Sequence, residues 1–239
     1  MKQIKNNVNS FNNDVLNNDG YLYTTNAKYS SVVSNKRMSD EVFKLINSSI
    51  KTIIDIGCGD GTYTSEIKNK FPNINITGID PSDNAIETAK KKYPNITFLN
   101  KNIYDLESLK TQKYDLCIIR GVLHHISNQS LAIKNVKQIS NEMIIIEPNG
   151  NNFILKYIEK TSKYHIEHEE QSFSSKKLVN FCISNNWNII SKSYIGFVPF
   201  FFPTIPSKLI HFIQPLLERI PVLNKYFSAQ IVLHCTQFK

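Results

Sequence analysis

At 239 residues and 27.5 kDa the chain is long enough to bury a sizeable core and short enough to form one domain. Its four cysteines, Cys58, Cys117, Cys182 and Cys235, are widely separated and form no C-x-x-C pair, which argues against a zinc or disulfide framework and fits a reducing cytoplasm. A formal charge of +8 invites nucleic acid as a partner, but the lysines are dispersed rather than clustered, so a solvated lysine-rich surface is the favoured reading.

Residues 1–19 are rich in asparagine and lack the apolar centre of a secretory signal, and no long apolar span follows; a soluble cytoplasmic chain is expected. Residues 1–38 are set apart as an N-terminal tail. Its Tyr21, Tyr23 and Tyr29, with Lys36-Arg37, either form a lid over a site or pack the tail onto the domain, which is taken as 39–239. Val42, Phe43, Leu45 and Ile46 predict a helix over 39–46 with Ser39 as its N-cap. Alternation then predicts helices over 61–70, 82–92 and 128–139 between strands at 74–80, 96–100, 114–120 and 142–147. That order indicates a parallel sheet with helices on both faces.

Beyond Pro148 the spacing predicts helices over 152–163 and 174–184, the second capped by Ser174 or Ser175, and strands over 187–196 and 229–235. Between those strands lies an apolar insertion, 197–225. Its first part, Phe197 to Pro206, is too rich in proline for a strand. Its second part carries Leu209, Phe212, Ile213, Leu216, Leu217 and Ile220 at helical spacing, with a kink or restart expected at Pro215. A satellite core, a lid for a hydrophobic acceptor and a contact with a membrane surface are the three readings of this insertion.

The densest chemical signal is Asp55-Ile56-Gly57-Cys58-Gly59-Asp60-Gly61, which follows the apolar pair Ile53-Ile54 and leads into a helix. Three glycines within five residues imply positive φ values or a close ligand approach. A dinucleotide fingerprint needs G-x-G-x-x-G. Here the spacing is G-x-G-x-G, Thr62 stands at the place of that last glycine, and Asp55 precedes the loop. A carboxylate there suits a cationic amine better than a pyrophosphate.

These residues resemble the first motif of the class I S-adenosylmethionine-dependent methyltransferases, Asp/Glu-x-Gly-x-Gly-x-Gly, matched at Asp55, Gly57, Gly59 and Gly61. The resemblance is strong over roughly 50–150. It implies an α/β, Rossmann-like, doubly wound and mostly parallel seven-stranded sheet, with an antiparallel last strand inserted beside the fifth. It also implies a cofactor, S-adenosylmethionine, leaving as S-adenosylhomocysteine. Asp80, at the end of the second strand, takes the place of the ribose-binding acid, and Asn102 stands where the family expects an acid for the adenine. Cys58, Pro81, Ile103 and Arg120 complete the expected cofactor contacts.

The family-like segment Gly121-Val122-Leu123-His124-His125-Ile126 places His124 and His125 at the mouth of such a site, as candidate bases for a hydroxyl acceptor. The plainer alternative is that they cap the turn or touch cofactor. His165 and His168, beside Glu169 and Glu170, are further candidates; no aspartate pair supports a metal there, and none is expected. The expected reaction is O-methylation of a small molecule, lipidic or glycosidic, with peripheral membrane contact compatible with the insertion. An RNA methyltransferase and a non-catalytic cofactor-binding module of the same fold are the alternatives.

Overall fold

The computed structural model describes residues 22–25, 28–161, 171–200 and 202–238. In chain order the first half runs α1 (Leu22–Thr25), α2 (Tyr29–Leu45), β1 (Thr52–Ile56), α3 (Thr62–Lys70), β2 (Asn75–Asp80), α4 (Asp83–Lys92), β3 (Thr97–Asn100) and β4 (Tyr114–Arg120). A short 3-10 turn, Leu123–His125, leads to α5 (Gln129–Val136), β5 (Ser140–Pro148), α6 (Phe153–Thr161), α7 (Ser175–Ile183), β6 (Trp187–Ile195), α8 (Thr204–Leu217), α9 (Pro221–Phe227) and β7 (Gln230–Gln237).

Neighbouring side chains in the central strands enter different cores, which is why these runs are apolar without alternation. Ile53, Leu116 and Ile144 join one buried cluster, and their successors Ile54, Cys117 and Ile145 join another. A strand points successive side chains to opposite faces, so both faces need cover. Met38 and Val42 of α2 and Ile67 of α3 cover one face. Ile133 and Val136 of α5, Leu178 of α7 and the buried Trp187 cover the other.

The strand order is β3-β2-β1-β4-β5-β7-β6, with β1 to β5 parallel and β7 antiparallel between β5 and β6. This is the expected doubly wound sheet. Between β1 and β4 the order reverses direction, and ligands of such sheets sit beyond the carboxyl ends at that point. Register aligns Ile56 with both Ile79 and Ile119, so the glycine loop, Asp80 and Arg120 emerge together at this edge.

Two expectations need correction. The first helix does not begin at Ser39: α2 starts at Tyr29, Lys28 precedes it, and Ser39 is buried in its interior. Serines at 30, 31 and 34 are buried there too, so the first half of the helix shows no apolar period; the Ser30 and Ser31 hydroxyls instead donate to Phe200 O. In the insertion, Pro215 lies inside a continuous α8 near its end, and the restart comes at Pro221, the first residue of α9. Proline is well suited to an opening turn, where its missing N–H has no partner to lose.

Candidate active site

The glycine loop is held by its neighbours before any ligand is considered. Gly57 N and Cys58 N both donate to Ile79 O, at 2.8 and 3.0 Å, which ties the loop to β2. Gly57, Gly59 and Gly61 all have positive φ, at 76°, 55° and 79°. At Gly57 the missing Cβ makes room for the protein itself: a Cβ there would lie 2.3 Å from Val122 Cγ2. The turn that carries His124 and His125 therefore abuts the cofactor loop because residue 57 is glycine.

Two carboxylates face this loop. Asp80 Oδ2 accepts Gly59 N at 3.1 Å and Oδ1 accepts Ser82 N at 2.8 Å. Asp55 Oδ2 accepts the Thr64 hydroxyl at 2.5 Å. Burial pushes both carboxyls up to about 6, against the opposing pull of those donors and, for Asp55, of Arg120; Asp55 and Asp60 add repulsion at Asp80. Buried acids raised in this way favour a ligand that brings cationic centres and hydroxyl donors. S-adenosylmethionine, with its ammonium, sulfonium and ribose hydroxyls, fits that requirement.

The other expected cofactor residues divide. Pro81 O is bonded by the Asn100 amide at 3.1 Å, and Ile103 is buried with its carbonyl bonded by Asn135. The Asn102 side-chain oxygen accepts Tyr104 N at 3.0 Å, which stiffens the turn after β3. Cys58 is buried against Gly78, and burial pushes its thiol well up. Arg120 turns toward α2: it donates to Ser39 Oγ at 3.1 Å and to Asn35 at 3.2 Å, and its guanidinium lies 3.6 Å from the Tyr63 ring centre. In the N-terminal segment Thr24 donates to Asp60 Oδ2 at 2.9 Å, so α1 touches the glycine loop. Tyr29 and Arg37 reach α8 instead, through His211 and Glu218.

On the opposite wall stands Glu147, which sequence reasoning did not single out for the site. It is fully buried at the end of β5. Its Oε1 accepts Val122 N and Leu123 N at 2.9 and 2.8 Å, and Oε2 accepts His124 N at 3.2 Å and faces His124 Nδ1 at 2.7 Å. An acid closing four buried apolar residues, Met143 to Ile146, must find donors inside the protein, and this was the available signal. A carboxylate only accepts, so Nδ1 carries the hydrogen and Nε2 is the basic nitrogen of His124. The His125 ring lies against it, tilted by 43°, with centroids 3.8 Å apart. His165 and His168 lie outside the described residues, as do Tyr21 and Glu169 and Glu170; Gln171, which follows them, donates to His124 O at 3.2 Å.

A family model described as a methyltransferase domain matches residues 47–191, more than half of the chain. The chain belongs to the class I S-adenosylmethionine-dependent methyltransferases. Malonyl-acyl-carrier-protein O-methyltransferase 2 of Ilyobacter polytropus is 35% identical over 97 residues, covering 39% of this chain and 38% of that relative. The match thus spans well under half of the relative's own length. Among solved structures, a methyltransferase of Thermotoga maritima described as a possible histamine N-methyltransferase superposes with a TM-score of 0.65 at 17% identity, over 86% of this chain and 89% of that one. Magnesium protoporphyrin IX methyltransferase of Synechocystis, solved with bound S-adenosylhomocysteine, gives 0.60 at 15% identity over 89% and 88%. At these identities the structural likeness establishes the fold. Among the described residues of this methyltransferase no helix is long and apolar enough to cross a membrane.

Proposed function

We propose that the chain methylates a hydroxyl oxygen of a small lipidic acceptor, with His124 as the base. A glycosidic acceptor is the alternative within the same chemistry. The observation that carries this reading is the Glu147–His124 pair at the carboxyl ends of β5 and β4, beside the glycine loop.

When bound, S-adenosylmethionine supplies an electrophilic methyl group on its sulfonium centre. Asp80 would hold its ribose hydroxyls and Asp55 would favour a cationic centre, with the loop from Gly57 to Gly61 as the floor. An alcohol holds its proton far too tightly to lose it unaided near neutral pH. His124 Nε2 accepts that proton, and Glu147 stabilises the imidazolium through Nδ1. Phe153, Ile154 and Tyr157 stand exposed on α6 where the chain leaves the carboxyl end of β5, which favours an apolar acceptor body. The O-methyltransferase name of the Ilyobacter relative supports oxygen as the acceptor atom.

Transfer of labelled methyl to a panel of lipid and soluble alcohols tests the proposal. His124→Ala is expected to lower kcat by about 10²–10⁴ with cofactor affinity nearly intact. Cofactor affinity falling in step with the rate would make His124 a structural residue. A rate that survives passes the role to His125, His165 or His168.

A further inference from the structure

Helix α8 is amphipathic in the opposite sense from a helix built into a core. It buries Ser207 and Gln214. Ile205, Leu209, Phe212 and Leu216 are meanwhile 84, 65, 84 and 62% exposed. At about 100° per residue these four form one narrow stripe, and Ser207 and Gln214 lie about half a turn away from it. Polar bonds fasten the inner face: Gln214 Oε1 accepts Phe197 N at 3.0 Å, Glu218 Oε1 accepts Gly196 N at 2.9 Å, and Glu218 pairs with Arg37 at 2.9 Å. At the start of the insertion Val198 is buried and Phe200 packs against the core cluster on the α2 face of the sheet.

α9, which follows, also exposes an apolar side chain at Val222, and it meets α6 at the Phe227–Phe153 ring contact, 5.1 Å between centroids. Large side chains gathered on one face mark a contact surface. The charges around it decide which partner. Residues 204–227 carry Lys208, Arg219 and Lys225, and the acid among them, Glu218, is already paired with Arg37. Beside α9 an open groove of about 740 Å³, lined in part by Lys176, Lys192 and Lys225, extends the cationic rim. A second copy would set this rim against itself on a chain of formal charge +8. An anionic bilayer offers acyl chains to the stripe and negative head groups to the rim.

The surface also adjoins the site. α8 packs on α2, whose Asn35 holds Arg120, and α6 leaves the sheet directly after β5. We infer that α8 and α9 seat the protein on an anionic lipid bilayer, with the stripe at the acyl boundary and the catalytic mouth open to an acceptor drawn from the membrane. This deepens the proposed function and rests on its lipidic acceptor, although the docking itself depends on the surface alone.

The test is flotation of the full chain with vesicles of phosphatidylcholine, alone or mixed equally with phosphatidylglycerol. The wild type is expected to float with the anionic vesicles and to be released by raised salt. Leu209→Ser/Phe212→Ser should bind them about a hundredfold more weakly, at roughly tenfold per side chain, with unchanged cofactor affinity by calorimetry. No flotation with anionic vesicles overturns the inference, as does full retention by the double variant. So does a wild-type dimer in sedimentation that the double variant abolishes without any vesicle binding, since the stripe is then a subunit interface. Methyl transfer to soluble alcohols without flotation removes the docking and spares the chemistry; flotation without methyl transfer to any alcohol does the reverse.

Discussion

Glu147→Gln exchanges one carboxylate oxygen for an amide nitrogen at nearly constant volume, and it separates the two duties of this residue. The remaining oxygen can keep the Val122 and Leu123 N–H groups, at 2.9 and 2.8 Å in the wild type. The new nitrogen faces two former donors, His124 N and Nδ1. The imidazole can adapt by moving its hydrogen to Nε2 and accepting at Nδ1, whereas the backbone N–H cannot. One buried donor left unpaired costs about 1–3 kcal/mol, a fall in Tm of roughly 2–12 °C for a chain of this size. The tautomer exchange is more damaging to turnover, because the nitrogen meant to take a proton now carries one. We expect kcat to drop by about 10²–10⁴, while cofactor Kd and acceptor KM move by less than about threefold. The rise of kcat/KM with pH that a histidine base produces should also disappear. Stopped methyl-transfer assays across pH, beside calorimetric cofactor titrations, read all of these. A variant with wild-type kcat and an unchanged pH profile would refute the argument, leaving Glu147 as a cap of the 123–125 turn and His124 without a role in proton removal.

Asp80→Ala should weaken S-adenosylmethionine binding by about 1.5–3 kcal/mol, since it removes a buried charged acceptor; equal affinity in a folded variant, by calorimetry, removes the ribose assignment. Burial pushes Asp55 and Asp80 up to about 6, well above an ordinary aspartate. A carboxyl raised by folding favours the native state while protonated, so the free protein loses stability as pH rises from about 4 to about 6. A cationic cofactor reverses this preference. Its affinity should therefore increase from about pH 5 to about pH 7, with proton release on binding and a log-log slope of at most about two. Titration calorimetry in buffers of different ionisation enthalpy would detect that release; a pH-independent affinity without proton release would contradict it.

The cofactor half of the molecule was legible because its signals are local. Asp55, the glycines and Asp80 lie on short runs whose spacing follows from strand and turn geometry, and the sheet order followed from apolar strands alternating with helices. The acceptor half depended on pairings that no period records. Glu147 sits 23 positions from His124 and meets it only because β4 and β5 are neighbours. Asn35 and Ser39 reach Arg120 from a helix whose buried serines conceal its start. The stripe on α8 was visible as a period, but a period tells which residues share a face and not which way the face turns. The exposure of Leu209 and Phe212 and the polar attachments of Gln214 and Glu218 show that it turns outward.

Residues 197–228 leave the sheet at Gly196 and return at Ala229, and the two ends touch, with Ala229 N donating to Gly196 O at 2.6 Å. Ile195 and Gln230 are already paired one step inside, so β6 and β7 would form an ordinary hairpin if the excursion were absent. Lengthening a closed loop adds little to its entropic cost, about 0.6 kcal/mol per doubling. The whole helical pair thus enters and leaves the sheet at one doorway, and a shorter segment could replace it there without disturbing strand register. The ties of this excursion to Tyr29, Ser34 and Arg37 of α2, and to Asn149 and Asn152 after β5, are the matching parts that a transplanted segment would have to reproduce. β4 and β5 stand between that doorway and the strand that leads into the glycine loop, so a change made there leaves the loop and its two aspartates where they are.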